Sequence, residues 1–160
     1  MTAIPHSTIR NERARALQGK RAGLPSRLVA DGIDWVVVVV MYVAILLGIE
    51  LAAWLLLGSD FHAEAPDLEI TVGVGWLILV AYLTAGWAGT GRTPGKSVMG
   101  LRVVKADGSE LRPRVAFFRA MLCATVGVWL LVWCLVSRRN EGLHDVLLRT
   151  AVVYDWPTGT

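Results

Sequence analysis

Three long apolar runs divide this chain, and the polar stretches between them differ sharply in charge. Trp35 to Leu57 is almost entirely apolar, with Val36 to Val40 in an unbroken row. Trp35 and Trp54 lie nineteen residues apart. At a helical rise of about 1.5 Å per residue that is roughly 28 Å, close to the ~30 Å of bilayer hydrocarbon. Tryptophan favours the headgroup level at both faces. The run predicts a spanning helix over about 34–57, preceded by an interfacial turn near residue 25, where Pro25 and Ser26 suit a helix start. It leaves the bilayer near Gly58. A valine row favours strand locally, but its length, and the need to satisfy every backbone group in lipid, decide for helix. A second span is predicted over about 70–88, with Trp76 and Trp87 in it. A third apolar segment covers 115–136, broken by Arg119 near its start and Gly127 near its middle.

The intervening segments carry the turns and the charge. Residues 1–23 form a basic tail whose start is expected to be disordered; residues 8–18 have the charge pattern of an amphipathic helix on an anionic membrane surface. LRVVKADGSEL reads as a short strand, an Asp107-Gly108 turn and a second short strand. Asn140 is a candidate N-cap, followed by Leu143, Val146 and Leu147 at helical spacing. TAVVYD is another short strand, and 155–160 a short tail.

Composition agrees with a membrane setting. The hydrophobic share is 54%, the mean hydropathy is +0.52, and charged residues make up 18%, against about 25% in an ordinary soluble domain. The first thirty residues lack an early apolar core, so insertion is expected to use the first spanning helix itself. Lysine and arginine set orientation. Segment 1–30 has six, loop 58–69 none but four acids, and loop 89–114 six. The N-terminus and the second loop are therefore expected inside, the acidic loop outside. Arg138, Arg139 and Arg149 follow the third run. A full third crossing would put them outside, against the rule. A re-entrant or interfacial segment keeps them inside and lets TAVVYD pair with LRVVKADG in a small cytoplasmic sheet; this is the favoured reading, with a three-span form as the alternative. The fold class expected is thus an all-α multi-pass membrane protein. It has two to three transmembrane helices and a small cytoplasmic β-hairpin or sheet.

Gly89 to Ser97, GTGRTPGKS, looks at first like a phosphate loop. That pattern needs four residues between its first glycine and Gly-Lys-Ser. Counting back from Gly95, Gly91 leaves three and Gly89 five. The spacing fails, and the loop follows a span instead of a strand. The glycines suit a tight exit from the bilayer. Arg92 and Lys96 are expected at the level of anionic headgroups.

Several stretches together resemble the RDD family of small bacterial membrane proteins: SRLVADGID at the start of the first helix, TPGKSVMGLRVVKADG after the second span, Arg119 opening the third run, and GLHDVLLRTAVVY near the end. The resemblance covers about residues 24–154. It implies that the arginine and two aspartates of the family's name fall on Arg27, Asp34 and Asp145. It also implies residence in the bacterial cytoplasmic (inner) membrane. A transport role has been suggested for the family, and some members are associated with sodium/proton exchange.

The residues themselves offer few chemical groups. Arg27, Asp31 and Asp34 share one helix face at i, i+4 and i+7, and a local Arg27–Asp31 pair is available. Asp34 begins the apolar run. Arg27, Arg119 and Lys96 are its candidate partners. It serves either as a packing clamp, the favoured role, or as a cation or proton carrier. For Asp145 a local pair with Arg149 competes with a pairing to Arg119. Glu50 lies inside the first span at a cost of about 2–3 kcal/mol, which about eighteen apolar neighbours at roughly −0.4 kcal/mol each outweigh. It must face protein or water. Ala44, Gly48 and Ala52 repeat every four residues, the small-residue spacing of close helix contact. Cys123 and Cys134 read as buried hydrophobes, and the scattered His6, His62 and His144 form no metal set. No cofactor, nucleic acid or catalytic constellation is expected. The expected function is a non-enzymatic accessory or structural subunit of a larger membrane assembly; the alternative is a homo-oligomeric transporter or cation/proton antiporter component using Asp34. Asp31, Glu50 and Arg119 are further candidates for ion or partner contact.

Overall fold

A computed structural model describes residues 17–58, 66–106, 108–136 and 143–156, with side chains of the third long helix placed as far as Gly127. The elements are α1 (Leu24–Leu57), α2 (Leu68–Gly89), α3 (Pro94–Val98), β1 (Leu101–Lys105), α4 (Pro113–Val136), α5 (Leu143–Leu147) and β2 (Thr150–Tyr154). The three apolar runs are thus three long helices. Pro25 sits in the first turn of α1, where its missing N–H costs nothing, and Gly58 ends the helix with φ 94°. Asn140 and the basic tail before residue 17 lie outside the described residues.

Helices α1 and α2 are long and apolar enough to cross a membrane, and almost none of the most apolar stretch of either is buried within the chain. A core helix of a soluble protein would show the opposite. On α1 only Arg27, Ala30, Asp34 and Val38 are buried, a single stripe near one end. The core collects at that same end: Ala30, Leu83, Trp87, Leu101, Val103, Ala116, Ala120 and Val152 form one cluster.

The strands close this end. β1 pairs antiparallel with β2, Leu101 facing Tyr154 and Lys105 facing Thr150. Arg21 bridges to Val153 on the other edge of β2, with Ala22 N–H donating to the Val152 carbonyl at 2.8 Å. The chain after α4 therefore returns to the end from which α4 started, which agrees with the pairing of TAVVYD and LRVVK expected above. The expected hairpin is corrected. Its turn exists, with Gly108 at φ 81°, its N–H donating to Lys105 O at 2.9 Å. Residues 109–111, however, form no strand: Lys105 N–H still donates to the Ser109 carbonyl at 2.9 Å, but the next position on that edge of β1, Val103 N–H, donates to the Gly91 carbonyl at 2.8 Å, and β2 takes the opposite edge.

At the other end the helices part. Tyr42 donates to Thr71 Oγ1 at 3.2 Å. Helix α2 starts three residues before Thr71, whereas α1 continues fifteen residues past Tyr42, roughly 22 Å of helix. That extension, Val43 to Leu57, is largely exposed, and Ala44, Gly48 and Ala52 are on its exposed surface.

Candidate functional site

The first turns of α1 bring Arg27, Asp31 and Asp34 onto one face, and the rest of the chain supplies their partners. Arg27 does not pair with Asp31. It reaches α5, where Nη1 donates to Asp145 Oδ2 at 2.5 Å, and its Nε donates to the Ala22 carbonyl at 3.2 Å. Arg119, in the second turn of α4, donates to the other Asp145 oxygen at 2.5 Å and also to Thr150 Oγ1. One carboxylate thus holds two guanidiniums. Arg27, Asp145 and Arg119 are 2%, 1% and 1% exposed. The pairing of Asp145 with Arg119 is present, joined by an Arg27 contact that local spacing did not suggest.

Asp34 is held from four sides. Tyr82 Oη donates at 2.7 Å, Thr93 Oγ1 at 2.5 Å and the Gly95 N–H at 2.8 Å. Lys96 Nζ stands 3.5 Å away and makes its shorter contact, 2.6 Å, with Asp31. Of the candidate partners of Asp34, the structure selects Lys96. Tyr82 and Thr93 were not foreseen, although Tyr82 is one of few polar groups in an otherwise apolar helix and marks the α2 face that turns inward.

The loop that resembles a phosphate site therefore binds an anion after all, and the anion is the chain's own. The threonine hydroxyl, glycine N–H and lysine of Thr93-Pro94-Gly95-Lys96 close on the Asp34 carboxylate. A β-carbon on Gly95 would lie 2.2 Å from the Ala30 carbonyl and 2.8 Å from Asp34 Oδ1, so only glycine lets α3 approach α1 this closely. Gly91, at φ 72°, makes the turn that precedes it. The expectation of headgroup contact is corrected for Lys96, which is 3% exposed and turned inward. Arg92 is partly exposed and paired with Asp155 at 2.5 Å.

Trp87 joins the two groups of charges. Its ring centroid lies 5.0 Å from the Arg119 guanidinium carbon and 5.3 Å from Lys96 Nζ, within cation–π range of both. Six charged side chains from α1, α3, α4 and α5 thus gather around one tryptophan of α2. Glu50 is not among them. It sits sixteen residues after Asp34 on α1, about 24 Å along the axis.

Two helices long and apolar enough to cross a membrane, with Arg27, Asp34, Lys96, Arg119 and Asp145 buried together at one end, define a membrane-type protein. A model of the RDD family matches residues 21–149, and the chain belongs to that family. It is 30% identical over 146 residues to the uncharacterized protein YckC of Bacillus subtilis (strain 168), a match covering 86% of this chain and 87% of that protein. No solved structure matches it.

Proposed function

We infer that the chain is a non-enzymatic, multi-pass protein of the bacterial cytoplasmic membrane, N-terminus inside, serving as an accessory or structural subunit of a larger membrane assembly. The observation that carries this reading is the commitment of the buried acids. Asp34 accepts from Tyr82, Thr93 and Gly95 beside Lys96, and Asp145 lies between two arginines. A carboxylate that binds and releases ions needs a changeable set of partners; these are set by packed backbone. They read as a clamp that holds the sheet and five helices together.

The uncovered length of α1 supports a partner. Val43 to Leu57 projects past the start of α2 and exposes a stripe of small residues at Ala44, Gly48 and Ala52, which admits another helix at close range. Extracting the full chain from its native membrane in mild detergent tests the reading. A stoichiometric larger protein is expected to come with it. Gly48→Leu, at a position with nothing within 4 Å of a β-carbon, is expected to weaken that association at least tenfold while leaving the melting of the purified chain unchanged. A homo-oligomer alone would favour the second reading, a cation or proton transporter, which draws on the cavity that reaches Asp34.

Asp34→Asn separates the two roles. For a clamp, it is expected to lower membrane abundance and assembly severalfold, since an amide cannot accept from the same donors with both atoms. Normal abundance and assembly with lost cation flux would sink the clamp reading in favour of transport.

A further inference from the structure

The groove between α1 and α4 holds a cavity of about 490 Å³, within the usual size range of small-molecule sites. Both helices pack on α2 but touch each other at few points, and the cavity occupies the gap between them. Its charged wall is shut with one exception. The side chains of Arg27, Asp34, Lys96 and Arg119 are at most 4% exposed, whereas that of Asp31 is 37% exposed. Trp35 and Val126, which line the same cavity, are apolar and exposed. An occupant therefore meets apolar surface and one carboxylate.

That carboxylate is only half used. Asp31 Oδ1 accepts from Lys96 Nζ at 2.6 Å, and Oδ2 has no donor among the described residues. The neighbouring charges set what can join it. Asp31, Asp34 and Asp145 balance Arg27, Lys96 and Arg119, so a ligand that adds no net charge is the least costly to enclose. The reachable side of the cluster is nevertheless its acidic side. Asp31 and Asp34 share one lysine, while Arg27 and Arg119 are closed over Asp145. A zwitterion that enters by its ammonium end meets both conditions. Depth adds a third. Asp31 precedes Trp35 by four residues, about 6 Å along the axis. A tryptophan at the start of a span favours the headgroup level, so Asp31 stands where a lipid headgroup can reach it.

We propose that this cavity binds a zwitterionic phospholipid with a primary ammonium, of the phosphatidylethanolamine type. Its ammonium donates to Asp31 Oδ2 in a charge-assisted hydrogen bond, and an acyl chain runs past Trp35 and Val126. The site does not depend on whether the chain has a protein partner.

This assignment rests on the membrane reading above, and native mass spectrometry of the full chain in dioleoyl phosphatidylcholine nanodiscs separates the two. A chain that does not insert overturns both; an inserted chain reports on the site alone. Dioleoyl phosphatidylethanolamine, dioleoyl phosphatidylglycerol and oleylamine are added in separate arms. One phosphatidylethanolamine per chain is expected to be retained, at least tenfold in preference to phosphatidylcholine. The latter has the same chains, phosphate and net charge but no N–H to donate. Phosphatidylglycerol, an anion, and oleylamine, a cation, are expected to be retained more weakly. Asp31→Asn can still accept from Lys96 and is expected to cut the preference over phosphatidylcholine severalfold. Gly127→Leu leaves every charge in place. Gly127 lines the cavity, and a β-carbon there meets nothing within 4 Å, so the added side chain takes up ligand space. It is expected to lower phosphatidylethanolamine retention severalfold without lowering the melting temperature. Equal retention of phosphatidylethanolamine and phosphatidylcholine, stronger retention of phosphatidylglycerol or oleylamine, an unchanged preference in Asp31→Asn, or full retention by Gly127→Leu would each overturn the proposal.

Discussion

Asp145→Asn is expected to destabilise the chain by about 3–5 kcal/mol, the usual cost of removing one partner from a buried ion pair. The effect should appear as a large drop in melting temperature and as loss from the membrane fraction. The reason lies in what remains. Arg27 and Arg119 are almost fully buried, and each spends an Nη1 donor on an Asp145 oxygen. Asparagine offers one acceptor where the carboxylate offered two oxygens, and it no longer offsets the two positive charges. The same principle predicts that removing the whole group is far milder. Arg27→Met, Arg119→Met, Asp145→Leu and Thr150→Val together remove both guanidiniums along with the carboxylate they share, and a packed apolar set is often neutral to stability. The fourfold variant is expected to melt above Asp145→Asn and near the parent chain. A fourfold variant that melts below the single one would show that these charges supply stability that apolar packing does not.

Gly95→Ala is the second large effect. The added carbon would stand 2.2 Å from a backbone carbonyl of α1, and neither helix has a flexible side chain to move aside there. α3 must lift. Overpacking costs about 1–3 kcal/mol, and each hydrogen bond to a charged group that is lost with it adds about 1.5–3 kcal/mol. Gly95 N–H and Thr93 Oγ1 both donate to Asp34, so a loss of at least ~3 kcal/mol in thermal or denaturant unfolding is expected. Gly89→Ala is the control. It lies in the same segment with open space around a β-carbon, and its effect is expected to stay within about 0.5 kcal/mol of zero. Equal losses at the two glycines would mean that backbone freedom, not the contact with Ala30, is what Gly95 supplies.

The helices were legible in the sequence because hydropathy is a local property. Trp35, Trp54, Pro25 and Gly58 marked the first of them nearly to its ends. The charges that matter were also legible: Arg27, Asp34 and Arg119 interrupt or border apolar runs, where a charge needs a reason. Their partners were not. Local spacing offered Arg27–Asp31 and Asp145–Arg149, yet Arg27 pairs across 118 residues and Asp34 meets Thr93 across 59. Helical periodicity says which residues share a face, not what the face meets. The hairpin failed for the same reason. LRVVKADGSEL contains a sound turn, but the edge of β1 that a returning strand needs is taken beyond Lys105 by the Gly91 carbonyl, from the loop that precedes β1. The glycine-rich loop shows the converse. Its residues were chosen for binding an anion, and only the fold reveals that the anion is a side chain of α1.

The pairing of Arg27 with Asp145 also imposes an order in time. At synthesis rates of about 5–20 residues per second, the 118 residues between them take roughly 6–24 s to emerge. Through that interval α1 already has its apolar length to place in lipid, while Arg27 still awaits its carboxylate and Asp34 awaits Thr93 and Lys96. The first helix to enter must wait for the last to be finished. A quality-control protease that samples unmatched charge at the membrane surface has that window in which to act. A nascent chain stalled before α5 would present it with a bundle whose helices are made but whose clasp is missing.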